Sequence, residues 1–148
     1  MAVYVYPQVS VALSEADCSL SLAIVQLHLG DTVRATEHAV HALQRYAAIG
    51  ARTHAALASL TLSECALLRG EPSEAEEGLR GSLRAFRALQ APLGEAEALR
   101  VLGGLRLSLG DDIAGLPLLR EAISIYTALA QRHGEGSPFG LTAARSLL

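Results

Sequence analysis

The segment LHLGDTVRA at residues 27–35 recurs twice, as LLRGEPSEA at 67–75 and as LSLGDDIAG at 107–115. The glycines of the three copies are Gly30, Gly70 and Gly110, so the copies follow one another at a spacing of 40 residues without insertion or deletion. A fixed period of about 20–50 residues is typical of proteins built from stacked repeats. We therefore take the 40-residue unit as the basis of the fold.

The phase of the repeat extends beyond the glycine. Small residues stand five positions after it, branched aliphatic residues thirteen after it, and aromatic residues sixteen after it. In the order of the three copies these are Ala35, Ala75 and Gly115; Leu43, Leu83 and Ile123; and Tyr46, Phe86 and Tyr126. Agreement at this many phased positions indicates one structural unit used three times.

Composition and periodicity predict that each unit is a pair of helices. Ala and Leu dominate the apolar residues, whereas aromatic residues make up only 4% of the chain, which favours helix over strand. Each turn glycine permits the left-handed conformation at a helix C-terminus, and the acidic residue after it supplies an oxygen that caps the next helix. The predicted helices are Ser10–Leu29, Val33–Ile49, Thr53–Arg69, Ser73–Leu89, Gly94–Leu109 and Ile113–Ala130.

These helices predict an all-α domain over residues 1–148, with antiparallel pairs at about 8–50, 51–91 and 92–131. Pro7 is expected to mark the start of the first helix, and the segment 131–138 is expected to be a linker. A seventh helix at about 137–148 is expected to cap the third pair. The sequence leaves open whether VYVY at residues 3–6 is a strand-like tail or part of a helix.

The segment ALRVLGGLRLSLGDDIAG, residues 98–115, resembles a tetratricopeptide repeat (TPR). The likeness rests on Leu102-Gly103 in the first helix, the Gly110-Asp111 turn, and the small residue five positions after the turn glycine. The unit is longer than the family's standard of 34 residues, and the aromatic residues usual in its first helix are absent. The resemblance implies a TPR-like α-solenoid of three antiparallel helix pairs with a C-terminal capping helix.

The same resemblance implies a concave groove, lined by the first helix of each pair, that binds an extended peptide or a helix. The groove would present Asp17, Leu20, Ile24, Leu27, His28, Leu57, Leu60, Glu64, Leu67, Glu97, Arg100 and Leu107, with Gly104 and Ser108 beside them. The chain contains neither Lys nor Asn, the residues with which the family's best-known members clamp a terminal carboxylate. A mainly aliphatic groove with carboxylates favours an apolar helix or a basic-apolar peptide.

Charge and composition exclude several classes of function. The net charge of −3 lacks the positive field that nucleic acid requires, so no direct contact with nucleic acid is expected. The uncharged stretches are shorter than a membrane span, and no signal peptide is recognisable, which predicts a cytoplasmic chain without a membrane segment. Cys18 and Cys65 are expected to be small buried core residues.

The sequence offers no constellation of acid, base and nucleophile, so we expect no catalytic residue and no enzyme activity. His38 and His41 are three residues apart, which brings together too few ligands for a metal, and no cofactor is expected. The prediction is a protein- or peptide-binding scaffold, an adaptor or the sensing arm of a larger, bacterial regulator. Self-association through the ends of the array and small-molecule sensing inside a transcriptional regulator are the two alternatives.

Overall fold

The computed structural model describes the backbone of residues 2–133 and the side chains of residues 8–132. This part of the chain is all helical, with six helices and no strand. The helices are α1 Ala2–His28, α2 Thr32–Ala48, α3 Arg52–Leu68, α4 Pro72–Ala88, α5 Pro92–Ser108 and α6 Asp112–His133. The all-α fold is thus confirmed, while the predicted helix at 137–148 lies outside the described residues.

The helices follow a spacing half as long as the sequence repeat. Helices α2, α3, α4 and α5 each have 17 residues, and every connection between neighbouring helices has three. Connections this short place successive helices antiparallel to each other. The 40-residue unit therefore consists of two geometrically equal halves of helix and turn.

All five connections close the preceding helix with the same pair of backbone hydrogen bonds. At the first one, Gly30 N–H donates to the carbonyl of Leu27 at 3.1 Å, and Asp31 N–H donates to that of Gln26 at 2.9 Å. This is the Schellman arrangement, which needs a residue of positive φ at the helix end. Those residues are Gly30, Gly50, Gly70, Gln90 and Gly110.

The acidic residues after two of the turn glycines cap the next helix, as predicted. Oδ1 of Asp31 accepts a hydrogen bond from the N–H of Arg34, and Oδ1 of Asp111 accepts one from the N–H of Ala114, both at 3.1 Å. Each carboxylate satisfies one of the backbone donors that the first turn of a helix leaves unpaired.

Two predicted helix boundaries are wrong. Helix α1 begins at Ala2, so Pro7 lies inside it and VYVY is helical. Proline removes a single backbone hydrogen bond, and this helix continues on both sides of it. At the other end, α6 runs on to His133 because Gln131, Arg132 and His133 are ordinary helix formers.

The chain divides into two compact units, Met1–Gly78 and Leu79–Leu148, with the division inside α4. In the first unit α2 packs against both α1 and α3, and α1 also touches α3. A buried cluster of Ala16, Ala42, Tyr46 and Ala58 joins these three helices. The small side chains let the helices approach closely, and Tyr46 fills the space between them.

In the second unit α5 packs against α6. The two backbones come close at Gly103 and Gly115, where a Cβ on Gly103 would lie 3.2 Å from the carbonyl oxygen of Gly115. The absence of a side chain at Gly103 therefore allows α5 and α6 to approach closely.

Each unit also contains one contact between an aromatic side chain and the helix after it. The ring of Tyr46 lies 5.2 Å from the ring of His54, measured between centroids. Phe86 lies against Gly94, where any Cβ would overlap the phenyl ring. His54 and Gly94 occupy equivalent positions of the repeat. Tyr46 therefore contacts an imidazole ring at this position, whereas Phe86 contacts a residue without a side chain.

Candidate peptide-binding surface

The structure places the predicted groove residues on α1, α3 and α5, the first helix of each pair. Helices α1 and α3 are neighbours in the first unit, so their nine predicted residues lie on adjacent helices. Glu97, Arg100 and Leu107 lie on α5 in the second unit. We use the name "α1–α3 surface" for the non-buried members of the first set, which are Asp17, Leu20, Ile24, His28, Leu57, Glu64 and Leu67.

Two predicted groove residues are instead core residues. Leu27 is 8% exposed and forms a buried cluster with Ala35 and Cys65. Leu60 is 5% exposed. A side chain this deeply buried presents almost no surface to a ligand, so these two leucines hold the helices together.

The α1–α3 surface is mainly aliphatic. Ile24 is 40% exposed, and His28 is exposed one turn further along α1. The Nδ1 atom of His28 donates to the carbonyl oxygen of Ile24 at 2.7 Å, which fixes the ring against its own helix. On α3, Leu57 and Leu67 are half-buried, and a half-buried leucine can still gain burial when a partner covers it.

Two acidic members of the predicted groove, Asp17 and Glu97, accept hydrogen bonds from buried tyrosines. Tyr46 on α2 donates to Oδ1 of Asp17 on α1, and Tyr126 on α6 donates to Oε1 of Glu97 on α5 at 2.5 Å. Both phenol rings are almost fully buried. Burial, reinforced by the adjacent carboxylate, raises the pKa of each tyrosine well above its ordinary value of 10.0.

Arg100 extends the second of these contacts into a network. Its Nη2 donates to Oε2 of Glu97 at 2.9 Å, so the two oxygens of Glu97 serve Tyr126 and Arg100 separately. Hydrogen bonding and charge pairing with Glu97 outweigh the burial of Arg100, and the pKa of its guanidinium is raised. The two charged residues that sequence reasoning assigned to a ligand thus hold α5 and α6 together.

The tyrosine–carboxylate contact was not found from the sequence, although the repeat contains a signal for it. Asp17 and Glu97 occupy the same repeat position, and so do Tyr46 and Tyr126. In the middle repeat the corresponding residues are Leu57 and Phe86, which can neither accept nor donate. The two positions therefore change together, and residues that change together between repeats are expected to touch.

The histidines take part in separate contacts. His41 accepts a hydrogen bond at Nε2 from Nε of Arg45 at 3.0 Å, and His54 lies against Tyr46. In the described part of the chain no group of three or more His, Cys, Asp or Glu side chains is placed to hold a metal ion.

One of the two cysteines departs from expectation. Cys65 is buried, as predicted, and burial raises the pKa of its thiol. Cys18 is exposed. Its repeat equivalent Ala58 is covered by α2, but within the described residues no helix covers this side of α1.

An open cavity of about 480 Å³ lies beside Cys18, between α1 and α2, and was not expected from the sequence. Its lining includes Arg45, whose guanidinium contacts the carboxylate of Glu15. The remaining lining residues are Ser10, Val11, Ser14, Cys18 and Ser19. Its one cation is thus already paired with an acid, so the cavity has no excess charge with which to select an ionic ligand.

Two described helical segments have the length and apolar composition of a membrane span, Gln8–His28 and Asp112–Arg132, each with a mean hydropathy of 1.3. Core helices of water-soluble proteins and signal sequences meet the same criterion. The absence of a membrane segment therefore stays a prediction from the sequence.

A scan of the chain against known protein families gives no match, and neither does a comparison with curated protein sequences.

Proposed function

We propose that this protein is a non-enzymatic, TPR-like helical-repeat scaffold that binds an apolar helix or a basic-apolar peptide. In this proposal the helix pairs stack as a solenoid whose first helices form the binding face. The observation that carries it is the α1–α3 surface, where two first helices lie side by side and leave Ile24, Leu57 and Leu67 incompletely buried.

The chemistry of this surface supports an amphipathic ligand. The aliphatic side chains provide area that a helix or extended peptide can cover, which is the main source of affinity in such grooves. Asp17 and Glu64 are the carboxylates among its members, and the chain as a whole is weakly acidic. Basic residues on a ligand would therefore be attracted, and acidic ones repelled.

A peptide-display selection against the full chain tests the proposal. Selected peptides are synthesised and their dissociation constants measured by fluorescence anisotropy against the wild type, Ile24→Glu and Leu67→Glu. Neither residue is fully buried, so both variants are expected to fold, which circular dichroism checks. A new carboxylate in a contact that excludes water is expected to weaken binding by roughly tenfold or more.

Val33→Glu is the matched control, because Val33 is 66% exposed and lies on α2, the second helix of its pair, and is not a member of the α1–α3 surface. It should change affinity by less than about twofold, the effect of a charge outside the contact. If the selection yields no binder, or if Ile24→Glu and Leu67→Glu bind the selected peptides as tightly as Val33→Glu does, the proposal is wrong.

A further inference from the structure

Helix α1 has a second apolar face that the rest of the described chain leaves uncovered. Its residues are exposed, and they follow one another at alternating spacings of four and three. They are Val11, Glu15, Cys18, Leu22, Val25 and Leu29, the last standing directly after the helix end. Alternating spacings of four and three are the seam of a coiled coil, in which every such residue faces a partner helix. We call this set the α1 seam.

The α1 seam is distinct from the face with which α1 packs in its own unit. Ala16, Ala23 and Leu27 are buried on the opposite side of the helix, and Ala16 belongs to the cluster shared with α2 and α3. The helix is thus apolar on two sides, and only one of them has a partner within the described chain. An ordinary surface helix is polar on its outer side.

The repeat shows what kind of partner this face fits. Cys18, Leu22 and Val25 correspond to Ala58, Leu62 and Cys65 on α3, of which Ala58 and Cys65 are fully buried. Within the first unit these two pack with residues of α2: Ala58 with Ala42 and Tyr46, and Cys65 with Ala35. The same face that α1 exposes is therefore covered by a helix where it recurs in α3.

We propose that the α1 seam is the contact of a homodimer, in which α1 of a second copy packs antiparallel against it. A heptad seam is self-complementary, and a two-fold symmetric contact is the commonest way for a chain to pair with itself. The residues that flank the seam on either side carry no carboxylate, Arg or Lys, so like charges do not repel there. They are Ala12, Ser14, Ser19, Ser21, Gln26 and His28.

The position of Glu15 selects the antiparallel orientation. Glu15 is the acidic residue of the seam, and it contacts Arg45 of its own chain. In a parallel pair the two Glu15 side chains would meet in one layer, which brings like charges together. When two antiparallel seams overlap fully, Glu15 lies opposite Val25 of the second copy, and Cys18 lies opposite Leu22 of the second copy.

A lipid surface is the other occupant for an apolar helix face, and the charge of α1 argues against it. Helices that lie on membranes carry Lys or Arg on their polar side to meet anionic headgroups. Residues 2–28 contain neither, and they include two acids, Glu15 and Asp17. Packing against α1 of a second copy does not require Lys or Arg on this helix.

Sedimentation equilibrium of the full chain over a hundredfold range of concentration tests the dimer. The expected mass rises from 15.5 kDa towards twice that value. Leu22→Glu and Val25→Glu are exposed positions that the fold of the monomer does not need, and each should weaken association by roughly tenfold or more. Ile24→Glu is the matched control on the same helix but off the seam, and its dimerisation should be unchanged.

The same experiment overturns the proposal if the wild type sediments as a monomer throughout, or if the seam variants associate as well as Ile24→Glu. Binding of the chain to phosphatidylcholine or phosphatidylserine vesicles that Leu22→Glu abolishes would assign the face to lipid instead. Because Ile24→Glu acts on peptide binding and Leu22→Glu on association, failure of this proposal is separable from failure of the proposed function.

Cross-linking tests the orientation. A Leu22→Cys variant that keeps Cys18 should form a covalent dimer when oxidised with diamide, because the two thiols lie opposite each other in the antiparallel pair. The combination of Leu22→Cys with Cys18→Ser removes one partner and should stay uncross-linked. A wild type that cross-links through Cys18 alone, or a cross-link that survives Cys18→Ser, would show a parallel pair and contradict the proposed geometry.

Discussion

The hydroxyl of Tyr126 donates to Oε1 of Glu97 at a distance of 2.5 Å, and this contact joins the two helices of the third repeat. The first repeat contains the same contact between Tyr46 and Asp17, at positions 80 residues earlier in the chain. Each phenol is buried, so its hydroxyl needs an acceptor inside the protein. The carboxylates on the first helices supply it, which makes them structural residues before any ligand is considered.

Removal of this hydroxyl in Tyr126→Phe is expected to lower the free energy of unfolding by about 1–2 kcal/mol, because Glu97 loses a charge-assisted hydrogen bond. The middle repeat lacks the residues of this network and has Leu57, Leu60 and Phe86 at the corresponding positions.

A triple variant that copies the middle repeat, Glu97→Leu with Arg100→Leu and Tyr126→Phe, removes the charges together and is expected to lie within about 1 kcal/mol of the wild type. Urea unfolding followed by circular dichroism measures both variants. A triple variant that is less stable than Tyr126→Phe would show that the apolar residues of the middle repeat cannot replace the charged network.

The raised tyrosine pKa values predict a loss of stability at alkaline pH. Below about pH 10 the two phenols are protonated in both the folded and the unfolded chain, and the stabilisation is complete. Above about pH 10 the unfolded chain releases phenolic protons that Tyr46 and Tyr126 retain when folded, so the free energy of unfolding falls as the pH rises.

Each tyrosine contributes a slope of up to about 1.4 kcal/mol per pH unit in that window. Between pH 8 and pH 11 the wild type should therefore lose roughly 1–3 kcal/mol more than the double variant Tyr46→Phe, Tyr126→Phe. Urea unfolding of both proteins at the two pH values measures the difference. Equal losses would mean that neither tyrosine has a raised pKa.

The sequence predicts what its repeat and its local chemistry determine. Gly30, Gly70 and Gly110 mark three of the five turns because glycine and a following acid form a recognisable helix end and cap. The sequence does not indicate the 20-residue half-repeat, because its other two turns carry Gly50 and Gln90, which share no side-chain chemistry. Only the backbone shows that both have the same conformation.

The sequence does not predict which side chains are buried, because burial depends on which side of each helix is covered by a neighbouring helix. Cys18 and Cys65 both stand at apolar repeat positions, yet one is exposed and the other buried. Leu27 and Ile24 are both aliphatic residues of the predicted groove, but Leu27 packs with Ala35 and Cys65 while Ile24 remains at the surface. The repeat gives the position on the helix, and burial follows from the helices packed around it.

Gln90 occupies a left-handed conformation, with φ of 53°, where the equivalent turn has Gly50 with φ of 72°. Residues with a Cβ pay roughly 1 kcal/mol for this region. Gln90→Gly is therefore expected to raise the melting temperature and to stabilise the protein by about 0.5–1 kcal/mol.

The reciprocal variant Gly50→Gln should destabilise by a similar amount, because a Cβ at this position meets no atom within 4 Å and only the backbone is strained. Thermal unfolding of the two variants checks both signs. If Gln90→Gly destabilises the protein, the side chain of Gln90 stabilises the fold by more than the strain of its left-handed backbone destabilises it.

The close approach of α5 and α6 at Gly103 gives two alanine substitutions with opposite expected effects. Alanine is the better helix former by roughly 1 kcal/mol, so either change would stabilise an isolated helix. At Gly103 the new Cβ would lie 2.8 Å from Cγ of Leu119 and 3.2 Å from the carbonyl oxygen of Gly115, which forces the helices apart. At Gly81 the nearest atom is the tip of Arg84 at 3.9 Å, an ordinary contact.

Gly103→Ala is accordingly expected to lower the free energy of unfolding by about 1–3 kcal/mol, as overpacked cores do, and Gly81→Ala to raise it by about 0.5–1 kcal/mol. Parallel urea titrations of the two variants measure the difference between their free energies of unfolding. The gain in helix propensity is the same for both. Because both substitutions make the same chemical change, their difference isolates the steric cost of the contact. Equal effects at the two sites would mean that α5 and α6 have room for a methyl group between them.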